Sequence, residues 1–226
     1  MSENIRVAID GPSGAGKSTL ARSVAARLNF LYVDTGAIYR TIGYAVWRKG
    51  IDPRDRSAVV AVLPDLEICL TYGTDGLQHM ELNGMDVTAE IRLPEVSRHA
   101  SLVSAYPEVR AYLLEMQRQL ARENSVVMDG RDIGTVVLPD AEVKVFLTAS
   151  AEERARRRML ELEERGTPEP YAAILRAIQE RDWNDTHRDA APLRQAEDAV
   201  LLDTTALDFV QSEDALLHII RERTGL

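Results

Sequence analysis

Ile9-Asp10-Gly11-Pro12-Ser13-Gly14-Ala15-Gly16-Lys17-Ser18-Thr19 is the stretch on which the fold turns. Gly11, Gly16, Lys17 and Ser18 satisfy G-x-x-x-x-G-K-[ST], directly after an apolar run and directly before a helix-like one. That context predicts a phosphate-binding loop joining a strand to a helix. Glycines at 11, 14 and 16 permit unusual backbone angles and close approach, so successive N–H groups can line a concavity for phosphate oxygens. Lys17 adds a mobile positive charge, the Ser18 hydroxyl suits Mg²⁺, and the following helix presents its positive dipole end. Gly11, Pro12, Ser13, Gly14, Ala15, Gly16, Lys17, Ser18 and Thr19 are therefore the expected nucleotide-binding set, with Ser18 as the metal ligand. An ordinary glycine-rich turn is the competing explanation, and the agreement of all four fixed positions with both flanks disfavours it.

Working outward, Ile5 to Asp10 reads as a strand, Lys17 to Leu28 as a helix with Leu20, Val24 and Leu28 on one face, and Leu31 to Asp34 as a second strand. Strand, loop, helix and strand at this pace predict a right-handed parallel βαβ unit with its ligand at the carboxyl ends of the strands. At 226 residues and 45% hydrophobic content, one core with appendages is expected. The net charge of −9 argues against a nonspecific nucleic-acid binder. Only Lys17, Lys49 and Lys144 are lysines, so most positive charge is arginine, the better fork for phosphate. Cys69 is alone, no Cys/His group has metal spacing, and His79, His99, His187 and His218 are scattered. Neither a signal pattern nor a membrane-spanning run is seen, so a reduced cytoplasmic location without membrane partners is expected.

Further along, Thr35 to about Lys49 reads as a helix that leaves the second strand, so Tyr39 and Arg40 begin near the same sheet edge as the phosphate loop. From Leu66 to Val87 the pattern becomes alternating, with Thr74-Asp75-Gly76 and Asn83-Gly84 between the runs, which predicts a small antiparallel meander. Leu93 to Val103 and Pro107 to Glu123 are expected helices. Ser125 to Asp129 is a buried-type strand ending in Gly130-Arg131-Asp132, and Glu142 to Leu147 is another. Ser150 to Glu153 fits a capping box for a helix that carries Arg154, Arg156, Arg157 and Arg158 and ends near Gly166. Gly166 to Pro170 interrupts it, making a mobile hairpin arm. Tyr171 to about Arg188 is helical, and Arg181, Asp185 and Arg188 at i, i+4 and i+7 fall within ~60° of one face. By spacing alone this stripe is more simply an exposed salt-bridge row than a substrate face. Val200 to Asp203 and Phe209 to Arg223 complete the chain as strand and helix.

A phosphate loop serves GTPases, ATP motors, switches and small-molecule kinases alike. The guanine signature N-K-x-D is absent, which weakens the first of these. Arginines near predicted strand ends favour transfer between two phosphate compounds, because two polyanions repel unless cations intervene. Another kinase of small metabolites and, from a different class, an ATP-gated switch are the rivals.

Five blocks together resemble bacterial cytidylate kinases: Asp10-Gly-Pro-Ser-Gly-Ala-Gly-Lys-Ser18, Asp34-Thr-Gly-Ala-Ile-Tyr-Arg40, Asp129-Gly-Arg-Asp-Ile-Gly-Thr-Val136, Glu153-Arg-Ala-Arg-Arg-Arg158 and Glu180-Arg-Asp-Trp-Asn-Asp-Thr-His-Arg188. They occur in order from about Ile5 to Asp203. The resemblance implies an adenylate-kinase-like α/β fold: a P-loop parallel sheet with helices on both faces, a small antiparallel β insert and a mobile helical lid. It further implies a single kinase domain over 1–226, with a monophosphate-binding region at 35–110, the insert at 66–87 and the lid at 151–170.

The implied reaction is ATP plus CMP or dCMP giving ADP plus CDP or dCDP, with Mg²⁺. Carried over by position, Arg40, Arg131 and Arg188 go to the acceptor phosphate, Arg181 and Asp185 to its sugar side, and Ser101, Arg110 and Asp132 to its base. Thr35, where relatives often have Ser, keeps the hydroxyl, and Tyr39 stands with Arg40 beside the phosphates. Lys17, Arg131, Arg188 and the lid residues Arg154, Arg157 and Arg158 form the implied catalytic set, and Arg156 is an added charge. Asp34 and Asp129 are candidates to orient Mg²⁺ waters. A monomer acting on small molecules is expected.

Overall fold

The computed structural model describes residues 4–226 apart from residue 75. It forms two compact units, one of the residues up to Tyr32 together with Ala121–Leu226, the other Val33–Leu120.

The first unit contains the strand–loop–helix expected from the glycine motif. β1 (Arg6–Asp10) leads through the loop into α1 (Lys17–Leu28), and β2 (Leu31–Asp34) follows. Later elements are β6 (Val126–Gly130), β7 (Val143–Thr148), α6 (Ala151–Glu164), α7 (Tyr171–His187), β8 (Val200–Asp203) and α8 (Phe209–Thr224). The sheet has the order β2-β6-β1-β7-β8, with β1 parallel to β6 and β7, and β8 parallel to β7. Val7 and Ile9 of β1 face Val127, Val145 and Leu147 across the sheet's core, which Leu20 and Val24 of α1 and Leu216, Leu217 and Ile220 of α8 complete. Because Asp10 is level with Gly130, the phosphate loop and the Arg131-Asp132 pair leave the sheet at the same height. The parallel register thus does what a continuous chain could not: it places residues more than a hundred positions apart at one edge.

In the second unit, α2 (Thr35–Arg48) packs on α4 (Pro94–Val103) and on the small sheet of β3 (Ile68–Tyr72), β4 (Gln78–Leu82) and β5 (Met85–Asp86), while α3 (Arg56–Val62) meets α5 (Pro107–Glu123) through the Arg56–Glu108 ion pair. Both strand pairs of that sheet are antiparallel, and Asn83 and Gly84 turn β4 into β5 with φ of 51° and 74°. The expected insert is therefore present. Its Asn-Gly turn works because both central residues tolerate the left-handed region. Of the first expected turn, Asp75 lies outside the described residues.

Several local expectations are corrected. Pro94, not Leu93, opens α4, because a residue before proline is pushed to extended backbone, and Leu93 has φ −60° and ψ 142°. The capping box at Ser150 is one-sided: Ser150 accepts the Glu153 N–H at 3.1 Å, but the Glu153 carboxylate turns to Arg156 and Arg157. The reciprocal box is at Asp208 and Gln211, which starts α8. α7 stops at His187, and Arg188 is extended with ψ 145°, so the i+7 member of the charged stripe leaves the helix. α3, capped by Asp55 through the Ala58 N–H, went unpredicted.

Gly43 is where α2 and α4 approach most closely: a Cβ there would stand 2.7 Å from the Ala100 nitrogen and 3.0 Å from the Val96 carbonyl oxygen. Both are helix backbone and cannot step aside. Gly43→Ala should cost about 1–3 kcal/mol by overpacking, read as a lower urea midpoint at constant m, and an unchanged midpoint would contradict this packing.

Candidate active site

Gly11 leaves β1 with φ 153°, and a Cβ on it would lie 1.9 Å from the Leu147 carbonyl oxygen, so no other residue fits here. Gly16, at φ 89°, is the N-cap of α1 and brings no side chain to the first N–H groups of the helix. Those donors are left for a ligand, as an anion site requires. Lys17 is 5% exposed and its ammonium donates to the Pro12 carbonyl at 2.7 Å. Burial, then the nearby Arg131, push its pKa well below the ordinary lysine range, while Asp129 and Asp185 oppose them.

The Ser18 hydroxyl donates to Asp129 Oδ2 at 2.8 Å, and the Tyr32 hydroxyl donates to Oδ1 of the same carboxylate at 2.9 Å. Ser18 and Asp129 are hard oxygen donors beside a phosphate loop, and this fits Mg²⁺, which takes one or two protein oxygens and completes its shell with waters and phosphates.

Beyond β6, the Arg131 guanidinium donates to Asp185 Oδ2 at 2.8 Å and to the Gly130 carbonyl at 3.2 Å. Burial alone would raise the pKa of Asp185, but Arg131, Arg181 and Arg188 hold it below the usual carboxylate range. Arg188 donates twice to the Ala191 carbonyl, at 2.9 and 2.7 Å, and comes within 4.0 Å of Asp132 Oδ1. The first unit thus groups Lys17, Arg131, Arg181, Asp185, Arg188 and Asp132 electrostatically. Their charges hold one another.

The α6 arginines differ from one another. Arg154 is buried and donates to the carbonyls of Ala149 and Ser13 and, through both terminal nitrogens, to Asp182 at 3.0 and 2.6 Å. Arg157 bonds Glu153 and the Thr204 carbonyl, whereas Arg156 pairs with Glu153 and Arg158 with Glu161 at the surface. Arg154 braces the phosphate loop against α7. Arg156 and Arg158 bond within α6 itself.

In the second unit, Asp34 caps α2 by accepting the Ala37 N–H at 2.9 Å, and its other oxygen receives Arg40 at 2.8 Å. Its carboxylate is therefore engaged in protein contacts, as that of Asp129 is. Arg40 Nε is buried with no hydrogen-bond partner, a donor of the kind that a phosphate oxygen satisfies. Thr35 is buried in the same turn. Gln78 of β4 donates to the Asp34 carbonyl and accepts its N–H, so a side-chain amide stands in for a strand neighbour. Arg110 rests over the Tyr39 ring, 5.3 Å from its centroid, and donates to the Ser104 carbonyl at 3.0 Å. Ser101 lies in the last turn of α4, its carbonyl accepting the Ser104 hydroxyl.

The Cytidylate kinase family model matches residues 7–222. The chain belongs to the cytidylate kinase family. Among its relatives, the "Cytidylate kinase" of Caldicellulosiruptor bescii is 48% identical over 217 residues, covering 96% of each chain. That of Carboxydothermus hydrogenoformans is 50% identical over 222 residues, covering 98% of this chain and all of the other. A crystal structure of an uncharacterized protein from Eubacterium ventriosum matches at TM-score 0.53 and 12% identity, over 98% of this chain and 100% of that one, a likeness of fold alone.

Four polar residues of this family member escaped the sequence reading: Asp10, Tyr32, Gln78 and Asp182. Asp10 carried the one available signal, an acidic residue closing a strand that is otherwise buried. Gln78 and Asp182 reveal themselves only through partners distant in sequence.

The depressed pKa of Lys17 has a measurable consequence. Phosphate charge beside it favours the ammonium form, so ATP binding should take up protons once pH is high enough for free Lys17 to lose them, and affinity should fall as pH rises through that range. Calorimetry in buffers of different ionisation enthalpy reads this directly, and identical enthalpies across buffers would contradict it.

Proposed function

We propose that this chain transfers the γ-phosphoryl group of ATP to CMP or dCMP, giving ADP and CDP or dCDP. The observation that carries this reading is the identity of 48–50%, over nearly the full length, with proteins named cytidylate kinase. The proposal extends to a cytoplasmic monomer acting on small molecules in pyrimidine nucleotide metabolism, with 35–110 as the acceptor region and 151–170 as a lid.

No dedicated base is required, since a nucleoside monophosphate has a second pKa near ~6 and its phosphate is mostly a dianion at neutral pH. Catalysis is then positioning and neutralisation of charge. Residues 11–19 hold the donor phosphates through backbone N–H groups, with Lys17 supplying the cation. Ser18, with Asp129 behind it, would hold Mg²⁺, which would supply neutralisation of phosphate charge. On the acceptor phosphate, Arg131 and Arg188 exchange their protein partners for phosphate oxygens, and Arg40 offers its unpartnered Nε. Thr35 and Tyr39 support Arg40, while Arg181 and Asp185 take the sugar. Arg157 and Arg158 close over the transferring group and exclude water, and Arg154 holds the loop.

Base choice follows from donor and acceptor chemistry. The Asp132 carboxylate accepts from the cytosine amino group, and Arg110 and Ser101 bond the remaining ring acceptors. Uracil would turn an oxygen toward Asp132, leaving a buried acceptor unpaired at a cost of ~1–3 kcal/mol.

Initial rates with CMP, dCMP, UMP, AMP and dTMP at fixed ATP test the assignment. CMP and dCMP should be the best acceptors, and a preference for UMP or AMP would overturn it. Asp132→Ala should raise KM for CMP and reduce the preference over UMP about tenfold or more. Unchanged discrimination would remove Asp132 from base reading.

A further inference from the structure

Asp10 is the last residue of β1, is 5% exposed, and immediately precedes the phosphate loop. Each of its carboxylate oxygens accepts one backbone N–H at 2.7 Å, Oδ1 from Ile133 and Oδ2 from Gly134. Those two residues directly follow Arg131 and Asp132. At Asp132 the backbone, with φ −147° and ψ 26°, turns into a short π-helical segment, Ile133–Val137. The first N–H groups of such a segment have no partner within it. Asp10 caps them from 123 positions away in sequence.

The junction is tight as well as bonded. A Cβ on Gly134 would meet the Lys144 side chain at 3.2 Å and Asp10 Oδ2 at 3.4 Å, so the peptide is seated against the carboxylate. An ionised group here is costly. Burial raises the pKa of Asp10 to about 6 in spite of the two N–H bonds; Asp132 adds to the rise and Lys17 opposes it. Lys144, the other charged neighbour, has its ammonium on Asp198 and the Pro139 carbonyl.

We propose that Asp10 is a positioning residue for the acceptor side of the reaction, its carboxylate fixing the peptides at 133 and 134 and thereby setting Arg131 and Asp132 against the phosphate loop. This rests on the assignment of Arg131 and Asp132 to the acceptor. The donor loop and the acceptor-reading pair then share one support, and an error of placement on one side is felt as lost discrimination on the other. A residue that only filled space would show no such selectivity.

Asp10→Asn preserves shape but offers one acceptor for two N–H donors. KM for CMP should rise about tenfold and the CMP-over-UMP ratio of kcat/KM should fall by a similar factor, while the affinity for a nonhydrolysable ATP analogue changes less than threefold. Unchanged CMP kinetics, or equal losses of donor and acceptor affinity, would overturn the proposal. Should the variant not fold, the native enzyme supplies a second measurement. Phosphate titration cancels in the CMP/UMP ratio, so that ratio should fall as pH drops through about 6, where Asp10 gains a proton and gives up an acceptor. A ratio that stays flat from pH 8 to 5 would overturn the proposal too. Arg131→Ala separates the two levels. If it leaves KM for CMP unchanged, the acceptor assignment has failed; if it raises KM and Asp10→Asn does not, Asp10 has no such role.

Discussion

A lysine ammonium held at 5% exposure is the constraint on which the first unit depends. Alone, a buried cation would be neutralised or expelled. Here the Pro12 carbonyl holds it in place, and the carboxylates of Asp129 and Asp185 favour its charged form against burial and the repulsion of Arg131 and Arg181, which still leave its pKa well below the ordinary lysine range. The surrounding arginines are in turn held by Asp185, Asp132 and Asp182. Acidic residues thus hold cations in a dense group that self-repulsion would otherwise disperse, the place that phosphate takes in the proposed reaction. The net charge of −9 belongs to the same logic, because affinity for anions is confined to a local group of arginines within an acidic chain.

Much of the first unit was legible because the glycine motif constrains both its flanks. Gly11 must have no Cβ, Gly16 must cap without a side chain, and β1 and α1 then fall at Arg6–Asp10 and Lys17–Leu28. The antiparallel insert was legible for a similar reason, since alternation from Ile68 to Tyr72 and an Asn-Gly turn leave few other outcomes.

Local rules failed where a charged neighbour competed or the partner was remote. Ser150 and Glu153 have the spacing of a reciprocal cap, yet two arginines outcompete the backbone N–H for the glutamate, and charge-assisted bonds are the stronger. Arg154 and Arg158 are indistinguishable in a row of basic residues. Only packing reveals that one is buried against Ser13 and Asp182 while the other meets solvent. The stripe at 181, 185 and 188 was geometrically sound for a helix, but the chain leaves α7 at Arg188 and returns its guanidinium toward Asp132 through the Ala191 carbonyl. The roles of Ser101 and Arg110 came from family resemblance alone, since nothing in their helical settings marks them apart.

The Arg154 brace also has a mechanical meaning. It sits in the first turn of α6, tied to the Ser13 carbonyl, so any tilt of the α6–α7 hairpin has its fulcrum there. With a rise of about 1.5 Å per residue, Arg157 and Arg158 lie roughly 5–6 Å along the lever, whereas Glu164 is about 15 Å out. If the hairpin moves as the proposed lid, its tip would sweep widely while the arginines near the fulcrum travel only a third as far or a little more. Closure at the rim and fine placement of charge at the centre would then be one motion, geared by distance from a single side chain.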